Sequence, residues 1–265
     1  MLIDAFATQR FTGNPAVVVL VPEPLPESAL QNLAMEFNQA ETAFLTRLAE
    51  AEYGLRWFTP EREVELCGHA TLAAAQALRE WGRIRAGQTV RFQTRWHGEL
   101  RCRCDEHGVV MDLPVTRPIP AACPQDIHAA LGLSRSVAIT CVGSAGMNLT
   151  FRLHDESAVI EARPRLDLIA AYHPIGITIT APSAEDGIDF VSRFFAPNAG
   201  IPEDPVTGSA HCSLAPYWAG VLGKTTFVAR QRSRRGGRLT VSLRQDRVEL
   251  AGLALVTARG HVEGW

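Results

Sequence analysis

The 265-residue sequence lacks a strong charge of either sign: 26 lysines and arginines face 28 aspartates and glutamates, for a formal net charge of -2 and a pI near 6.5. That balance argues against a nucleic-acid partner or an acidic membrane surface, both of which call for a basic footprint. Long apolar runs are also missing. The longest early run, Ala16 to Val21, has the length of a strand and is far too short to cross a bilayer. The opening residues, MLIDAFATQRF, have no positive segment followed by an apolar stretch, so no secretory leader is expected and a cytoplasmic location is. Clustered cysteines are absent as well. Cys67, Cys102, Cys104, Cys123, Cys141 and Cys212 are scattered. Cys102 and Cys104 share one side of a strand, but nothing joins them at zinc-site spacing, so no metal is expected. A chain of this size does not need disulfide staples, and reduced thiols are expected throughout.

What the sequence does contain is an internal repeat with a period near half its length. In the first half Arg56-Trp57-Phe58-Thr59-Pro60 precedes a turn and then Cys67-Gly68-His69-Ala70-Thr71-Leu72-Ala73. In the second half Arg193-Phe194-Phe195-Ala196-Pro197 precedes a longer turn and then Thr207-Gly208-Ser209-Ala210-His211-Cys212-Ser213-Leu214-Ala215. Upstream, Gly13-Asn14 before an apolar strand resembles Gly146-Met147-Asn148 before Leu149 to Leu153. Helices are expected at Leu25 to Phe37 and Leu166 to Tyr172, each followed by a strand, Thr42 to Thr46 and Gly176 to Thr180. A long-period repeat present twice predicts two equivalent domains rather than a solenoid. The division falls at residues 1–115 and 116–265, with the last strand able to pack back on the first half. Pro114, Pro118, Pro120 and Pro124 mark Leu113 to Pro124 as a linker, since proline disfavours both helix and central strand.

Two helices stand out. Thr71 to Trp81 is apolar around most of its circumference, which predicts a buried helix, with Gly82 just past its end. Ser209 to Leu222, followed by Gly223, is similar, and Pro216 should kink it. Each start offers unpaired N–H groups and a positive dipole end, and the glycines Gly68 and Gly208 leave room for an anion. The plain alternative is that both are turn glycines and Ser209 is an N-cap. Candidate proton-transfer groups are Glu41 just before a strand, His69 at the first helix start and Asp204 before Pro205. The dipole should keep His69 neutral. Cys67 has a nucleophile or proton-carrier reading, because a helix start lowers a thiol pKa, and a competing one as a small buried residue. His211 and Cys212 suit the core, and Arg230 to Arg238 a solvated loop.

The segments DAFATQRFTGNPAVVVL, ETAFL, RWFTPEREVELCGHATLA, RFFAPNAGIPEDPVTGSAHC and RRGGRLTV resemble the phenazine-biosynthesis PhzF-like family from residue 4 to about 241. The pairing of CGHAT with EDPVTGSAH is highly specific. The resemblance implies an α+β fold like that of diaminopimelate epimerase: two pseudo-symmetric halves, each a curved sheet or barrel around a central helix, with the active site between them. It implies catalytic roles for Glu41, His69 and Asp204, and substrate binding by Gly68, Thr207, Gly208 and Ser209. It further implies a cofactor-independent isomerase that moves a proton within a small carboxylic acid, with a homodimer as the expected assembly. Epimerases of this fold use a cysteine from each half. Here Cys67 stands near one such position, but no cysteine precedes the second helix, which leaves an epimerase using Cys67 with Glu41 or Asp204, and a non-catalytic binding protein, as alternatives.

Overall fold

The structure, a computed structural model, describes residues 1–106, 108–144, 148–172 and 175–263. Gly146 and Met147 of the upstream repeat lie outside the described residues. The chain forms two compact units, Met1–Asp112 with Leu250–Trp265, and Leu113–Glu249.

The first unit holds β1 (Leu2–Ala5), β2 (Asn14–Val21), α1 (Glu27–Phe37), β3 (Glu41–Ala49), β4 (Glu52–Phe58), β5 (Glu63–Val64), α2 (Gly68–Glu80), β6 (Thr89–Gln93), β7 (Glu99–Asp105) and most of β8 (Gly108–Pro114). The second holds β9 (Pro118–Pro120), α3 (Ile127–Leu131), β10 (Ile139–Ser144), β11 (Leu149–Leu153), α4 (Glu156–Glu161), α5 (Leu166–Ile169), β12 (Ile177–Pro182), β13 (Phe190–Ala196), β14 (Ile201–Asp204), α6 (Gly208–Leu222), β15 (Thr226–Gln231) and β16 (Gly237–Arg244). After β17 (Arg247–Gly252), β18 (Ala254–Ala258) returns to the first unit and pairs antiparallel with β1. Residues from Leu250 onward group with the first unit, where β18 pairs with β1.

The repeat reappears as strand pairing. In the first unit β1–β2 is antiparallel, β2–β3 parallel, β3–β4 antiparallel, β4–β6 parallel and β6–β7 antiparallel. In the second, β10–β11, β11–β12, β12–β13, β13–β15 and β15–β16 follow the same alternation. Parallel neighbours need a crossover between them. α1 and α2 supply it in one unit, and α4 with α5, then α6, supply it in the other.

Sequence pattern accounts for the layering. β2 reads NPAVVVLV and is largely buried on both faces, with α1 and α2 in its surroundings. β7 reads ELRCRCD and alternates, so Cys102 and Cys104 point inward while Arg101 and Arg103 face solvent. α2 is buried from His69 through Leu78 and packs against β1, β2, β3, β7 and β18. α6 is buried along most of its length, and Trp218 stacks on Phe190 with ring centroids 5.3 Å apart. The helix runs on through Pro216. Proline has no N–H for the carbonyl of Cys212 four residues back. The N–H of Thr116 donates to that carbonyl instead, at 3.1 Å.

Several expectations are corrected. The 166–172 helix ends at Ile169. The proline-rich linker contains β9, which pairs with β10 as a short strand. That pairing brings Cys123 beside Cys141, and a disulfide joins them with Cα atoms 5.3 Å apart, so only the other four cysteines are free. Arg230 and Arg238 are paired strand residues flanking a hairpin turn, and Arg230 and Arg232 are held by Glu185.

Candidate active site

Glu41, Cys67 and His69 come together in the first unit. β3 begins at Glu41, which stands opposite Ala16 in the parallel pairing with β2. Cys67 caps α2 and His69 lies in its first turn. All three are at least nine-tenths buried, Glu41 at 8%, Cys67 at 7% and His69 at 6% exposure. His69 Nε2 lies 3.1 Å from Glu41 Oε2. The approach is close but poorly aligned, so Oε2 makes no well-directed hydrogen bond among the described residues. It therefore retains acceptor capacity inside the site.

A fourth residue completes the cluster. Asn14, fully buried at the start of β2, sets its amide Nδ2 3.1 Å from His69 Nδ1. Cys67 Sγ is 3.4 Å from Nδ1 and 4.0 Å from Nε2. Such similar distances place the thiol off the outward axis of either nitrogen. Glu41, Cys67 and His69 thus offer oxygen, sulfur and nitrogen donors within 4.8 Å of one another.

Electrostatics differ from the sequence-based expectation. Burial opposes the imidazolium form of His69, while the Glu41 carboxylate beside it favours that form and raises the pKa above the usual histidine value. The Glu41 carboxylate thus works against the helix dipole, which alone would keep the ring neutral. Burial, with Glu41 adding to it, pushes the Cys67 thiol up rather than down, so it stays protonated near neutral pH.

Asp204, Thr207, Gly208 and Ser209 gather in the second unit around the start of α6. Thr207, not Ser209, is the N-cap residue, and its hydroxyl donates to Asp204 Oδ2. Gln231, fully buried at the end of β15, braces this turn. The Thr207 N–H donates to Gln231 Oε1 at 2.9 Å, and Gln231 Nε2 donates to the Asp204 carbonyl at 2.8 Å. His211 packs against Phe190 and contacts the Thr207 carbonyl through Nδ1 at 2.8 Å, as a core residue. Asn14 and Gln231 are the two site residues that sequence reasoning did not single out. Asn14 had a signal in the Gly13-Asn14-Pro15 turn, and Gln231 had none.

The two units are not chemically equivalent. Ala43 stands opposite Trp57, and Thr178 opposite Phe194, the matching aromatic of the repeat. Two residues earlier on each strand, Glu41 therefore corresponds to Gly176. A Cβ at Gly176 would meet the Phe195 carbonyl oxygen at 2.5 Å. Close backbone packing thus excludes a second carboxylate at that place.

Comparison with known proteins shows the family. A profile described as phenazine biosynthesis-like protein matches residues 3–260. A protein of Pseudomonas aeruginosa named an uncharacterized isomerase is 43% identical over 260 residues, covering 98% of this chain and 96% of its own. A human phenazine biosynthesis-like domain-containing protein is 39% identical over 285 residues, at 98% and 96% coverage. The crystal structure of a PhzF family protein from Enterococcus faecalis superposes with a TM-score of 0.89 at 40% identity, covering 97% and 95%. At 13% identity, a probable proline racemase from Agrobacterium radiobacter shares the fold, with a TM-score of 0.61 and coverage of 97% and 92%. The matches span nearly the whole chain, and it belongs to the PhzC–PhzF family of phenazine biosynthesis-like proteins.

Proposed function

We propose that the protein is an isomerase that moves a proton within a small carboxylic acid, with Glu41 as the base that takes the proton and returns it. One observation carries this reading: a buried carboxylate with spare acceptor capacity, 3.1 Å from an imidazole held toward its cationic form. Glu41 takes a proton from an activated C–H, and the His69 cation balances the negative charge that develops on the substrate. The first amides of α2, at Gly68 and His69, suit a substrate carboxylate. Asp204, Thr207, Gly208 and Ser209 are assigned to substrate positioning, as the family motif implies. These groups supply base and counter-charge themselves, so the step calls on no added cofactor. The names of the bacterial relatives, uncharacterized isomerases, support the reaction class.

An epimerase using Cys67 as the opposing base needs a thiolate. Burial and Glu41 both act against that form, which favours Glu41 as base. The test is proton exchange followed by NMR in heavy water against a panel of small carboxylic acids. Glu41→Gln keeps the shape and removes the proton transfer, so turnover should fall by at least ~10²-fold with binding largely kept. Unchanged turnover in that variant overturns the proposal.

A further inference from the structure

His69 has two ring nitrogens, and the proposed chemistry uses only one. Nε2 faces Glu41, while Nδ1 faces the terminal amide of Asn14. Cys67, the other titratable group beside the ring, is off axis to both nitrogens. Two side chains therefore stand at Nδ1, the Asn14 amide at 3.1 Å and the off-axis Cys67 thiol at 3.4 Å.

The backbone holds the Asn14 side chain firmly. Gly13 has φ of 76°, and a Cβ there would meet the Ala5 carbonyl oxygen at 2.4 Å. Only glycine lets the chain pass this close before entering β2. Asn14 then pairs with Ala5 in the β1–β2 ladder, and Pro15 fixes the next φ. Asn14 is consequently delivered to the helix start with no exposure to solvent.

A carboxamide is neutral and carries both donor and acceptor atoms at its tip. Facing a bare nitrogen it presents NH₂, and facing a protonated one it presents C=O. A carboxylate at this place would add a second negative charge and lock the ring as a cation. An alkyl group would leave only the off-axis Cys67 thiol beside the buried nitrogen and free the ring to change tautomer.

We propose that Asn14 is a positioning residue for His69: its carboxamide occupies Nδ1 in either protonation state, so that Nε2 always keeps the proton that faces Glu41. The inference rests on Glu41 and His69 being the acid–base centre. In the neutral ring the proton sits on Nε2, and the Asn14 NH₂ group covers the bare Nδ1 lone pair. The Nε2–H toward Glu41 is preserved, and the pair keeps its geometry through the cycle.

The test uses the full-length protein labelled with ¹⁵N-histidine, with His69 ring-nitrogen shifts followed against pH. The wild-type ring should pass from the cation to the Nε2–H tautomer. Asn14→Leu should give a tautomer mixture, with kcat lowered about tenfold or more and KM within about twofold of wild type. Asn14→Asp, nearly isosteric, should raise the His69 pKa further and shift the pH–rate profile the same way. A folded Leu variant that keeps the Nε2–H tautomer, or an Asp variant with unmoved ring titration, overturns the proposal. If the Leu variant does not fold, the Asp variant alone decides. Unchanged turnover in Glu41→Gln together with the expected tautomer shifts would sink the acid–base reading while leaving the Asn14–His69 coupling standing.

Discussion

His69 and His211 both lie buried on central helices, and their neighbours drive them in opposite directions. His211 has no charged partner among the described residues. Its Nδ1 contacts the Thr207 carbonyl, its Nε2 has no hydrogen-bond partner among the described residues, and burial pulls its pKa down to about 4. Between the ordinary value of 6.5 and that depressed one, the unfolded chain binds a proton that the native state refuses. His211 therefore contributes stability above pH 6.5 that is lost as pH falls toward 4. For His69 the sign reverses: its contribution is complete below 6.5 and lost as pH rises through its elevated folded value. Urea-unfolding midpoints measured across pH should decline from 6.5 to 4, and His211→Gln should flatten that acid limb while leaving the alkaline limb in place. An equally steep acid limb in the variant would assign it to other groups. The cluster around His69 was partly legible in the sequence. CGHAT marked Cys67 and His69, and the ETAFL segment marked Glu41. The charge of His69 was not legible, because the helix dipole can be read from a motif and the approach of a carboxylate from another strand cannot.

The start of α6 illustrates how an element is finished by residues far from it in sequence. An N-cap threonine ordinarily offers its hydroxyl to the first helical amides. Here that hydroxyl is committed to Asp204, and no side-chain cap bond forms. Gln231, from the end of β15, takes the Thr207 N–H and ties the preceding turn through the Asp204 carbonyl. Gln231→Leu should leave that buried N–H without its partner and cost about 1–3 kcal/mol of unfolding free energy, measurable by chemical denaturation. A loss below ~0.5 kcal/mol would mean the turn holds without the brace. The two central helices and several strands were readable from apolar patterning and stop glycines. What was lost came from long-range pairing. Glu41 joins β3 because Ala16 pairs with it across the parallel ladder, and β9 forms from a proline-rich segment because β10 lies beside it. Likewise, Arg230 and Arg238 enter strands by pairing with each other.

Across the whole molecule, five consecutive strand pairings recur in the two units, yet the units differ in how they are completed. The first is closed by a segment from the far end of the chain. β18 pairs with β1 from Leu2↔Ala258 to Ala5↔Ala254, and it also packs against α2, the helix that carries His69. β1 is thereby flanked on both sides, by β18 and β2, and its backbone groups are satisfied within the sheet. Removing residues 254–265 would turn β1 into a bare edge and strip one of the surfaces covering α2. The expected result is local: amide exchange in β1 and α2 should speed up by about tenfold or more, while protection in β10 to β13 of the second unit stays near its value in the intact chain. Because α2 holds Cys67 and His69 against Glu41, the truncation should also expose the Cys67 thiol and raise its alkylation rate. Hydrogen exchange read by mass spectrometry, with iodoacetamide labelling alongside, checks both at once. Equal loss of protection in the two units, or β1 and α2 amides as slow as before, would show that the terminal strand is not what completes the first unit.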